Sequence, residues 1–68
     1  MEQETFNLSV RKFLKMVGVR SQQELEEAVT KAIASGAISG VEALPATMTL
    51  KVPALQLEVK FDAQIDLK

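Results

Sequence analysis

From Leu55 to Lys68 the chain alternates between apolar and polar residues without a break. Leu55, Leu57, Val59, Phe61, Ala63, Ile65 and Leu67 take the odd positions, and Gln56, Glu58, Lys60, Asp62, Gln64, Asp66 and Lys68 the even ones. A period of two is that of a β-strand with one dry and one wet face. The run before it alternates with the opposite parity: Ala46, Met48, Leu50 and Val52 are apolar, Thr47, Thr49 and Lys51 polar. Directly opposed residues of an antiparallel pair share a face. A hairpin must therefore set even positions of the first run against odd positions of the second, and a one-residue slip would oppose every apolar side chain to a polar one. A turn centred on Pro53-Ala54 pairs Val52 with Leu55, Leu50 with Leu57, Met48 with Val59 and Ala46 with Phe61. Thr47 then faces Lys60, and Thr49 faces Glu58. Pro53 suits the first central position of an ordinary type I turn rather than a primed one, so a four-residue loop in this register is also allowed.

The first half of the chain has a different period. Phe6, Val10, Phe13, Leu14 and Val17 form one helical stripe. Thr5 can cap its start, Gly18 can end it, and Lys12 and Lys15 suit the negative end of its dipole. The spacing predicts a first helix over 5–17. Ser21 and Glu24 have the spacing of a capping box, and Leu25, Ala28, Val29, Ala32 and Ile33 form a second stripe that ends at Gly36. Residues 37–45 read as a loop anchored by Ile38, Val41 and Leu44. The expected fold class is α+β: a two-layer α-α-β-β arrangement in one small domain over 1–68, a helical hairpin packed on an antiparallel β-hairpin. Phe13, Val17, Leu25, Val29, Leu57 and Val59 are the expected core.

Composition excludes more chemistry than it suggests. There is no Cys and no His, so disulfides, thiolate metal sites and the commonest general base are absent. Ser9, Ser21, Ser35 and Ser39 have no base partner beyond Lys and each has a local role or lies off the stripe. Glu58, Asp62 and Asp66 share a strand face, but Lys60 and Lys68 interleave with them, as on an alternating-charge solvated face. Gly36 and Gly40 follow a helix and precede a strand, the reverse of a phosphate loop. No catalytic, cofactor or metal residues are expected. The N-terminus lacks a secretory pattern and no run is long and apolar enough for a membrane helix, so a cytoplasmic protein with no membrane partner is expected.

The segments TFNLSVRKFLKMVGV, SQQELEEAV and LPATMTL resemble a family of short bacterial proteins classed as a domain of unknown function. The resemblance covers nearly the whole chain and implies a free-standing small bacterial protein. It implies no activity, cofactor or site residue.

Two surfaces remain as candidates. Leu8 projects almost opposite the first stripe, beside Arg11, Lys12 and Lys15, where it can anchor a protein partner. Arg11 to Arg20 holds four cations and no anion, which with the expected helix-turn-helix gives an alternative reading as a nucleic-acid binder. Glu24, Glu26 and Glu27 on the helix that would enter the groove oppose that reading. The second surface is the C-terminal strand. In the register above, Ala63, Ile65 and Leu67 overhang the first strand, and extending that strand back past Pro45 would set Glu42 against Ile65. A second copy can cover the overhang about a two-fold axis at Ile65. Ala63 then meets Leu67, Gln64 meets Asp66, and Asp62 meets Lys68 as an opposite-charge pair. The reading is a non-catalytic interaction module that forms a homodimer through a four-stranded sheet.

Overall fold

The computed structural model describes all residues, 1–68. It is α+β, with the order α1 (Gln3–Ser35), β1 (Ala43–Val52), a short 3-10 turn (Pro53–Leu55) and β2 (Leu57–Asp66). The chain divides into two compact units, 1–35 and 36–68.

The first unit is one helix where the sequence predicts two. The helix runs unbroken through Gly18, Val19 and Arg20, so there is no helical hairpin and no helix-turn-helix. The physical reason lies in the spacing of the stripes. Val17, Ser21 and Leu25 follow one another in steps of four, so the two stripes join on one face and no change of direction is needed. A break would also orphan about four N–H and four C=O groups, whereas Gly18 inside a helix costs only about 1 kcal/mol relative to Ala. The Arg20–Glu24 ion pair at 3.5 Å spans the expected start of a second helix at Ser21. At the start, the Glu4 N–H donates to the Glu2 carboxylate at 3.1 Å, so the helix begins two residues before Thr5. Gly36 ends it as expected, with a φ of 80°.

The second unit is an antiparallel two-stranded sheet. The parity rule holds, but the pairing is shifted by two residues from the predicted one. Val52 faces Leu57, Leu50 faces Val59, Met48 faces Phe61, Ala46 faces Ala63 and Leu44 faces Ile65. The shift follows from a four-residue connection, Pro53 to Gln56. It closes with the Gln56 N–H donating to the Pro53 carbonyl at 3.0 Å and with Gln56 left-handed at a φ of 51°. The wet face changes accordingly: Thr47 faces Asp62 and Lys51 faces Glu58. Pro45 lies within β1. A two-stranded sheet has only edge strands, where a residue without an N–H is accommodated.

No side chain is buried in either unit. Of the expected core, Val17, Val29 and Leu57 are half-buried, while Phe13 is 46% exposed, Leu25 40% and Val59 36%. The dry sheet face and the helix stripe are each formed within their own unit.

Two outcomes test this description. No atom lies within 4 Å of a Cβ placed on Gly18, and its backbone is helical. Gly18→Ala should therefore raise stability by about 0.5–1 kcal/mol in a thermal melt followed by circular dichroism; a left-handed turn at Gly18 would give the opposite sign. Gln56→Val should lower hairpin stability by about 1–2 kcal/mol, because a β-branched residue is strained at positive φ.

Candidate functional site

The most densely hydrogen-bonded group in the chain lies in the connection between α1 and β1. The carboxylate of Glu42 accepts from the backbone N–H groups of Ser39 at 2.8 Å, Gly40 at 2.9 Å and Val41 at 3.0 Å, and from the Ser39 hydroxyl at 3.2 Å. Gly40, at a φ of 100°, lets the backbone curl around the carboxylate. Successive N–H groups aimed at one point make an anion cradle, and here the chain's own side chain fills it. The Ser39 N–H above all holds the Glu42 carboxyl down at about 2; partial burial opposes this, and the remaining donors add to the lowering. Sequence reasoning weighed Glu42 only as a polar residue facing an apolar strand. The run Ser39-Gly40-Val41-Glu42, a turn followed by an acid, was the available signal. The Glu42 backbone carbonyl meanwhile accepts from the Leu67 N–H at 3.1 Å, which ties the end of the chain to the start of β1.

The predicted overhang is therefore absent. Ala63 faces Ala46, Ile65 faces Leu44, and Leu67 is held to Glu42 within the same chain. Asp62 accepts from the Thr47 hydroxyl at 2.8 Å, and Lys68 lies past the end of β2. The outer edge of β2 has no strand beside it. Leu8, Arg11, Lys12 and Lys15 do come together, on one side of α1 at helical spacing, with Leu8 52% exposed. None of these three cations has an ion-pair partner, in contrast to Arg20 with Glu24 and Lys31 with Glu27.

The surface has little to hold a small ligand. A shallow depression lined by Glu24, Glu27, Ala28 and Lys31 lies along the helix, and Glu27 and Lys31 close on each other at 2.9 Å. No group of three or more acidic, His or Cys side chains is arranged to hold a metal. No helix is long and apolar enough to cross a membrane. What the arrangement offers instead is area: Phe6, Val10, Phe13 and Leu25 on the helix, and Met48, Val59 and Phe61 on the sheet, are all exposed.

Residues 1–68 match a family of unknown function, DUF6494, and the chain belongs to it. No curated protein and no solved structure matches the chain.

Glu42 gives a test with a definite sign. Its carboxyl is lowered from 4.5 to about 2, so the stability it contributes is present above pH 4.5 and is lost as pH falls through about 2. Glu42→Gln should speed hydrogen exchange at the Ser39, Gly40 and Val41 amides at neutral pH. In that variant, the parent's acid-induced loosening of this loop should disappear.

Proposed function

We propose that this DUF6494 member is a non-catalytic interaction module that works by self-association. The observation that carries the reading is that neither unit buries a single side chain, although the sheet presents a continuous apolar face and the helix a row of apolar side chains interrupted at Ser21. An isolated two-stranded hairpin is marginal in water. A helix in a protein draws most of its stability from packing an amphipathic face. A chain of 68 residues without Cys has no disulfide staple, and small folds without one turn to oligomers. Covering both faces in the assembled form gives the two-layer arrangement expected from the sequence, which is part of the proposal, as is a cytoplasmic setting.

Pairing through the free outer edge of β2 would make the four-stranded sheet of a homodimer. Its support is now that free edge, with its alternating charges, and no longer an overhang. The nucleic-acid alternative has lost its helix-turn-helix and is favoured only by the exposed, unpaired Arg11, Lys12 and Lys15.

Sedimentation equilibrium of the full chain from low to high micromolar concentration tests the reading. A dimer or higher assembly with cooperative melting and concentration-dependent stability is expected. A monomer at high micromolar concentration would overturn self-association. Salt-dependent retention on nucleic acid by that monomer would move the assignment to the alternative.

A further inference from the structure

We propose that the free outer edge of β2 pairs antiparallel with the same edge of a second copy, about a two-fold axis at Ala63. The proposal rests on the self-association reading and fixes its seam and alignment.

Backbone direction selects β2. The Leu67 N–H donates to the Glu42 carbonyl at 3.1 Å, in continuation of the β1–β2 register. Hydrogen-bonded and non-hydrogen-bonded pairs alternate along an antiparallel ladder, so the odd residues of β2 bond to β1. The N–H and C=O groups of Glu58, Lys60, Asp62, Gln64 and Asp66 therefore point outward, where no strand lies beside them. Every one of these residues has an N–H to give. On β1 the outward positions include Pro45, which removes a donor from that edge. Pairing β1 with β2 of the next copy would also be heterologous and would leave a free edge at each end for further copies.

Charge selects the alignment. Outward residues must meet outward residues, which also keeps the dry face on the dry face, so the axis passes through a residue. An axis at Lys60 or Asp62 sets that residue against its own charge. An axis at Gln64 sets Asp62 against Asp66 and Lys60 against Lys68. An axis at Phe61 runs into the turn at Gln56 and leaves Asp66 and Lys68 without charged partners. The axis at Ile65 expected from the sequence leaves Glu58 and Lys60 unused, and the overhang that suggested it is filled by β1. At Ala63 the whole edge is used: Glu58 meets Lys68, Lys60 meets Asp66, and Asp62 meets Gln64. Lys60, Asp66 and Lys68 have no ion-pair partner within the chain. Asp62 accepts from the Thr47 hydroxyl through one oxygen, and its other oxygen can accept from the copy's Gln64 amide. On the dry face Phe61 meets Ile65 and Val59 meets Leu67. Ala63 meets its own copy in a non-hydrogen-bonded pair, where strands bring side chains closest and a small residue fits.

Charge reversal tests the alignment. Lys60 faces Thr49 and Asp66 faces Ala43 within the chain, so neither reversal removes an internal ion pair. Lys60→Glu and Asp66→Lys should each self-associate about tenfold more weakly than the parent in sedimentation equilibrium, because like charges then oppose each other twice per dimer. An equimolar mixture of the two should recover the parent's affinity, as should the double variant. Circular dichroism checks that each keeps its structure. The axis is read independently with cysteine, in a chain that has none. The two copies of position 63 lie about 4.5 Å apart at Cα, within disulfide range, so Ala63→Cys should oxidise to a covalent dimer. Phe61→Cys should not, because four residues of strand, roughly 14 Å, separate its two copies. A dimeric parent whose reversals associate undiminished, or whose mixture shows no recovery, overturns this seam and leaves self-association standing with its seam elsewhere. Oxidation of Phe61→Cys or Ile65→Cys in preference to Ala63→Cys overturns the alignment, even if the charge variants fail to fold. A monomeric parent overturns self-association as a whole.

Discussion

A side chain stabilises a fold by leaving water, and the gain scales with the apolar area removed. In this chain regular backbone structure is complete while that removal is not. The helix and the hairpin each satisfy their own backbone hydrogen bonds, so each can be drawn without the other. Yet Phe6, Phe13, Met48 and Phe61 all remain exposed. The exposed apolar side chains, more than any polar cluster, are what the proposed self-association would cover, and the net charge of -1 offers little repulsion against a second copy.

How far the fold was legible in the sequence depends on which signals are long and which are local. Alternation sustained over the last third of the chain identified the hairpin and its parity, because every residue repeats the same statement. The register was missed because parity is blind to a shift of two, and only the turn decides that. Pro53 to Gln56 closes through a left-handed Gln56, a conformation its residue type does not advertise. On the helical side the reverse error occurred. Gly18, Ser21 and Glu24 imitate a stop and a start, but each such signal is worth about 1 kcal/mol. The continuous hydrogen-bond ladder outweighs them.

The same contrast explains the candidate surfaces. Leu8, Arg11, Lys12 and Lys15 were legible as a group because helical spacing alone brings them together. The cradle around Glu42 was not, since it is made by backbone N–H groups whose direction depends on Gly40 at positive φ. Such a site leaves only a turn residue and an acid in the sequence. Its position is informative: Glu42 fixes the loop with its carboxylate and holds Leu67 with its carbonyl, so one residue closes the open end of the hairpin.

The four-residue connection of the hairpin has a consequence for how this sequence can vary in length. Each rung of the sheet carries one polarity, and the connection only decides which rungs coincide. Adding or removing two residues there moves the strands to a neighbouring alignment with dry still on dry. Adding or removing one within a strand would invert every side chain beyond it, whereas one added in the connection is outside the ladder and can be taken up by a longer turn. Changes of length are therefore better borne by the turn than by β1, β2 or the run from Ser39 to Glu42, whose spacing the carboxylate cradle fixes.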